Sequence, residues 1–218
     1  MLLYYLWELI VDLWDIITID IEDWHRWKRK ERQRISFYLS VDADELPNLP
    51  DIELFATPYL QLTRKYSIRR VGSLDELNRF NSVQQIFWAV NAYEQMNYKG
   101  GILSFLTSEY GYTAPLLPFA LESVGATEHL KLLLDFIERN ELDLNELSHF
   151  SLDGLKRREK ADRLVELGER YGVSDFDEEY RKLESIESYM IPYIRENAER
   201  LLAEPKNGNG SKRRSRRK

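Results

Sequence analysis

The sequence predicts an all-α fold: a compact, multi-helix, bundle-like domain with an extra hydrophobic helical arm at its N-terminus. Three observations carry this. Apolar residues recur at three- and four-residue spacing from Leu77 through Phe80, Ile86, Phe87 and Val90 to Tyr93, the period of one helix face. Glycine, proline and capping residues punctuate the chain at helix-length intervals. Alternation of apolar and polar residues, the mark of a half-buried strand, is confined to ITIDIED at residues 17–23. One isolated segment makes no sheet.

Taken in order, MLLYYLWELIVDLWDII at residues 1–17 is apolar on most faces, with Glu8, Asp12, Asp15 and then Glu22 at helical spacing. Acids interrupt it well before the ~18–20 apolar residues that a span needs, and it has no basic segment ahead of it as an export signal would. It is expected to be a buried or partner-covered helix. WHRWKRKERQR follows as a basic, aromatic-containing turn into a helix, and ELPNLPD, from Glu45 to Asp51, as a Pro-rich linker. Residues 1–50 are therefore assigned to the arm and linker, 51–204 to an acidic helical domain and 205–218 to a disordered basic tail.

Within the domain, Ser73 to Glu76 forms a capping-box pattern opening the Leu77–Tyr93 stripe. Gly100-Gly101 ends that helix in a sharp helix-to-helix turn, with a left-handed cap that glycine adopts without Cβ strain. A short helix carrying Phe105 runs to about Tyr110 and closes at Gly111. The next passes through Pro115 to Val124 and stops at Gly125. Thr127 caps a helix bearing Leu130, Leu133, Leu134 and Ile137. Asp143 and Glu146 bracket a short turn before a long polar helix ending at Gly172. Ser174 then caps the last helix, placing Asp175, Asp177, Glu178 and Glu179 where carboxylates complement the helix dipole.

Charge narrows the function. The chain has 31 Lys/Arg against 37 Asp/Glu, a net −6. Its last fourteen residues, PKNGNGSKRRSRRK, hold seven of the basic residues and no acid, so residues 1–204 sum to −13. Such a body repels nucleic acid and attracts basic partners. The tail, Gly/Asn-linked and without apolar residues, is read either as a solubilising segment or as a contact for nucleic acid or a membrane surface. With no cysteine in the chain there is no disulfide, thiolate metal site or cysteine nucleophile, which fits a reducing, cytoplasmic setting.

Catalytic, cofactor and metal motifs are not expected. The Gly pair belongs to neither GxGxxG nor GxxxxGK[ST] and follows a helix rather than a strand. His25, His129 and His149 have no second histidine at ligand spacing. A calcium loop counted from Asp175 would need glycine at its sixth position, where Tyr180 stands.

Carboxylates on exposed helical positions stand out instead: Glu138, Glu141, Asp143 and Glu146 around one helix end, then Asp175, Asp177, Glu178, Glu179, Glu184 and Glu187. Helix neighbours three or four apart lie roughly 5–6 Å apart. Phosphates along each DNA strand recur on a comparable scale, one charge per ~1.7 Å of axis over both strands. Such an array can occupy a protein groove built for DNA.

Glu94, Gly100-Gly101, Phe105 and Gly111, followed by Val124-Gly125-Ala126, resemble the signature of the bacterial helical domain family that includes the neisserial DNA-mimic protein. Its pattern reads roughly E…NGGF.QFF.N..G, then a helix ending in IGA. The resemblance spans about Leu74 to Leu202 and includes FDEEYRKLE, residues 176–184. Lys99, Ile102 and Ser108 depart from it, standing where Asn, Phe and a second Asn are usual. The resemblance implies an acidic, all-helical homodimer that covers the DNA-binding surface of a transcription factor.

The leading expectation is accordingly an acidic protein-interaction module, a DNA mimic for a basic DNA-binding protein, with no direct nucleic-acid binding by the body and no membrane span. The alternative is an immunity or defence-associated interaction protein docking an effector through the Trp-rich arm. An enzyme ranks last.

Overall fold

The computed structural model describes residues 25–65 and 74–205, and these are all-α, with no strand among them. The readings of residues 1–24 as a hydrophobic helix and short alternating segment, of Ser73 as a cap, and of residues 206–218 as a disordered tail lie outside the described residues. The chain divides into two units at Val41 and Asp42. In the first, the basic stretch forms helix α1 over residues 25–40, where Arg34 Nε donates to the Tyr38 hydroxyl one helical turn on, at 2.8 Å.

The second unit begins with a 3-10 turn, Leu46–Asn48, and helix α2, Asp51–Leu60. A π turn, Gln61–Lys65, follows. The Pro-rich segment read as a linker is part of this packed unit: Leu46 is fully buried, and Arg195 donates to the Pro47 carbonyl and to Asp51. Proline there starts a turn and a helix rather than spacing two bodies apart.

Short α3, Leu74–Leu77, precedes the central helix α4, Ser82–Thr107. The cap of α4 is Asn81, eight residues beyond the Ser73 pattern. Its Oδ1 accepts from Gln84 N–H while Gln84 Oε1 accepts from Asn81 N–H, both at 3.1 Å. Tertiary contacts hold this box in place. Gln84 is fully buried and its amide also donates to the carbonyls of Leu201 and Ala203, while Asn81 Nδ2 donates to the Arg200 carbonyl. One cap thus fastens the C-terminal helices to the start of the central one.

After α4 the chain makes a 3-10 turn, Gly111–Leu116, into α5, Leu117–Ser123. Gly111 opens this turn rather than closing a helix, since α4 ends at Thr107 with Ser108 as its cap. Pro115 and Pro118, lacking N–H donors, hold the segment before α5 to 3-10 geometry. Gly125, at φ +80°, closes α5: its N–H reaches Glu122 and that of Ala126 reaches Leu121. This is the helix end a left-handed glycine permits. Helix α6, Thr127–Arg139, follows with Ala126, not Thr127, at its cap. Thr127 is already inside the first turn.

A loop with a 3-10 turn, Ser148–Phe150, leads to α7, Arg157–Arg170, and α8, Val173–Tyr180. Gly172, not Ser174, stands at the α8 cap. The last two helices among the described residues are α9, Ile186–Glu196, capped by Ser185, and α10, Ala198–Leu202. Helix α4 packs against α5, α7, α8, α9 and α10, so the core is built around it. Phe87, Val90, Tyr93, Ile102 and Phe105 of α4 are fully buried, as are Leu117, Leu121, Met190, Ile194 and Leu201 around it. A buried aromatic such as Phe105, edge-on to Tyr93 at 5.4 Å, contributes about 2–3 kcal/mol.

Candidate functional site

Two features of this unit have the chemistry of recognition: a polar cleft at the Gly100–Gly101 break, and a carboxylate-bearing surface on α6, α8 and the segments that follow them.

The glycines do mark a sharp break between two helical arms of α4, as the sequence predicts, but not by a left-handed cap. Gly100 is extended at φ −176° and Gly101 stands at φ +74°, ψ −173°, a conformation outside the left-handed helical well and reserved almost wholly for glycine. The reason lies seventy-five residues away. Asp177 Oδ1 accepts from Ile102 N–H at 2.9 Å, capping the second arm of α4. A Cβ on Gly101 would fall 1.9 Å from the other Asp177 oxygen. Burial pushes the Asp177 carboxyl above its ordinary range, against the opposing pull of the Ile102 N–H and of Arg181.

Behind the kink lies a buried polar cluster. The Tyr180 hydroxyl donates to the Glu94 carboxylate, joining the first family-signature residue to the acidic segment eighty-six residues on. Tyr93 and Tyr180 pack edge to face at 5.7 Å, and Tyr180 lies 5.1 Å from the His129 ring. Burial, then the nearby Tyr93 and Glu94, raise the Tyr180 hydroxyl far above its ordinary pKa, so it remains a proton donor at any working pH. Tyr93 is raised by burial, Glu94 and Asp177.

His129 is 1% exposed, with Nε2 2.7 Å from the Glu184 carbonyl. That contact makes Nε2–H the donor, and Nδ1 is left buried without a partner. Burial lowers its pKa, outweighing the opposing effects of the Glu184 carbonyl and Glu94. A histidine depressed in the folded state binds fewer protons than in the unfolded chain. Stability is therefore present above the ordinary histidine range and falls as pH drops through it towards the lowered value. His129→Gln, which keeps a donor for Glu184, is expected to flatten this part of the melting-temperature profile between neutral and mildly acid pH.

Of the ten carboxylates singled out from the sequence, Glu138, Glu141, Asp143, Glu146, Asp175, Glu178, Glu179, Glu184 and Glu187 are exposed. Asp177 is half-buried and turned onto α4. Helices α6 and α8 adjoin through Phe136 and Phe176, whose rings lie 5.1 Å apart. Asp143 accepts from Asn145 N–H, and Glu146 from Ser148. These bonds hold both carboxyls below their ordinary range, so the loop keeps its charge as pH falls. Lys182 bridges Glu178 and Glu179 at 3.4 and 2.7 Å, an exposed pairing worth little to stability.

Sequence reasoning missed three parts of this surface. Glu128 and Asp135 add exposed carboxylates on α6; only their membership of the same helix could have pointed to them. Glu109, Glu146 and Asp153 together border a cleft of about 650 Å³ between the end of α4 and the loop at residues 144–153, with no basic residue on its walls. Lys156, Arg157, Arg158 and Lys160, all exposed, open α7 with the opposite sign. The net −13 of residues 1–204 conceals a polar charge distribution.

Among the described residues, no group of His, Asp and Glu is arranged to hold a metal ion, and no helix is long and apolar enough to cross a membrane. A family model described as DMP19-like protein matches residues 78–197, more than half of the chain and nearly the whole span of the resemblance noted in the sequence. No curated protein and no solved structure matched the chain.

Proposed function

The chain belongs to the DMP19-like protein family, and from that premise we propose that it is an acidic protein-interaction module that mimics DNA. The partner is a basic DNA-binding protein, such as a transcription factor, whose phosphate-binding groove accepts the carboxylates of Glu138, Glu141, Asp143, Glu146, Asp175, Glu178, Glu179, Glu184 and Glu187. A homodimer is the proposed working form.

The observation supporting this reading is the exposure of nine carboxylates, five of them (Glu138, Asp175, Glu178, Glu179 and Glu187) on helices and two (Asp143 and Glu146) on a hydrogen-bonded turn that fixes their spacing. Charges held on rigid elements need little ordering on binding, so more of the Coulomb attraction survives as affinity. The basic start of α7 would be repelled by the same groove, which orients the module.

The reading is tested by immobilising the full chain, and in parallel residues 1–204, and capturing a basic partner from the native host. The expected complex weakens steeply as salt rises past the screening range and is displaced by duplex DNA in proportion to the DNA added. A complex indifferent to salt that DNA cannot displace would refute it. Reversal of Arg157 and Arg158 to Glu is expected to leave affinity for the partner unchanged or raised.

A further inference from the structure

We propose that the cleft at the α4 kink is a binding site for a small zwitterion of the α-amino-acid class. The cleft has a volume of about 340 Å³ and is lined by Asn97, Tyr98, Lys99, the two glycines, Asp177, Tyr180 and Arg181. That volume lies in the range of small-ligand sites and accommodates one amino acid.

Its lining carries an acceptor that the fold does not satisfy. Asn97 is only 8% exposed; its Nδ2 donates to the Tyr93 carbonyl at 2.8 Å, which fixes the amide's orientation and leaves Oδ1 without a partner. A buried polar atom in this condition is destabilising unless something donates to it. Asp177, whose Oδ1 holds the Ile102 N–H, adds the second oxygen of its carboxylate to the same lining. An unpartnered amide oxygen and a carboxylate together call for a donor-rich, positively charged head, which an α-ammonium group provides.

The rim has the opposite character. Lys99 and Arg181 are exposed cations bordering the same cleft. An anion alone would meet the acceptor floor and a cation alone the basic rim, so the lining as a whole suits a ligand bearing both charges. An ammonium–carboxylate pair on one carbon spans from floor to rim. Tyr98, 90% exposed, offers a ring against which an apolar or aromatic side chain can lie. The two glycines keep the floor open, since any side chain at Gly101 would collide with Asp177. The cleft adjoins the carboxylate face through α8, but none of its lining residues is among the nine exposed carboxylates, so neither proposal depends on the other.

The test titrates the full-length protein with L-phenylalanine and follows the Asn97 side-chain amide and the Tyr98 to Ile102 backbone amides by NMR. N-acetyl-L-phenylalanine, which lacks the ammonium, and L-phenylalaninamide, which lacks the carboxylate, are titrated beside it. Saturable shifts with L-phenylalanine are expected, and each blocked form should bind at least about tenfold more weakly, the effect of losing one charge-assisted hydrogen bond. Tyr98→Ala, on an exposed side chain, and Asp177→Asn, which keeps an acceptor for Ile102 N–H, should each weaken binding without unfolding the protein. Equal binding of all three compounds, binding of only a blocked form, or no shift with any of them would overturn the proposal.

Discussion

Gly101→Ala is expected to be among the most destabilising single substitutions in the chain, while Gly100→Ala, its neighbour, is expected to be mild. At Gly101 two penalties act together. The backbone at φ +74°, ψ −173° is one that a side chain adopts only under strain. The added Cβ would also overlap the Asp177 carboxylate, which must swing away and give up the Ile102 N–H. Strain of this kind and the loss of a helix cap each cost about 1–2 kcal/mol, which for a chain of this size lowers the melting temperature by about 5–15 °C. At Gly100 the backbone is extended, and the added Cβ meets only Ser104 Oγ, the end of a side chain that can rotate.

The two penalties at Gly101 are separable. Asp177→Ala gives up the same cap that Gly101→Ala displaces and leaves the backbone strain, so the double substitution should be about as unstable as Gly101→Ala alone. Thermal unfolding of the wild type and the four variants decides the matter. Complete rescue would mean that overlap alone matters and that the backbone at Gly101 tolerates a side chain. A Gly100→Ala loss as large as that of Gly101→Ala would contradict the account of the kink.

That kink shows where the sequence was legible and where it was not. Helix punctuation by glycine, proline and acids is local, and the helical pattern of the described residues followed from it. The glycine pair was visible as a break for the same reason. Its partner was not, because Asp177 carries the same signal as Asp175, Glu178 and Glu179, an acid near the start of an amphipathic helix. Only the packing of α8 on α4 separates the one that turns inward from the three that face water. The Glu94–Tyr180 pair was hidden likewise, although both residues lay in segments already recognised as family signatures. The cap of α4 was missed for a related reason. Asn81–Gln84 fits the capping pattern locally, but its docking on the Leu201 and Ala203 carbonyls comes from contacts more than a hundred residues distant.

Reversal of Glu138, Glu141, Glu178 and Glu179 to Lys tests the carboxylate surface where the proposed function is most exposed to failure. All four side chains are exposed, none caps a helix or bonds the core, and the hydrogen bonds of Asp143 and Glu146 are left intact. Each reversal adds two units of charge, taking the chain from −6 to +2. Helical content and melting temperature should change little, since the pairing of Lys182 with Glu178 and Glu179 is a solvated one. Affinity for a basic partner should fall by about a hundredfold or more, because four attractions become four repulsions facing the same groove. What remains should lose most of its dependence on salt. Neutralising the same residues to Gln gives the intermediate case, in which attraction is lost without repulsion being added. An ordered decline from wild type through the Gln variant to the Lys variant, each with the native circular dichroism spectrum, is the result expected of an interface built on charge. If the Lys variant binds as the wild type does, the surface on α6 and α8 is not the interface, and the DNA-mimic reading loses the observation on which it rests.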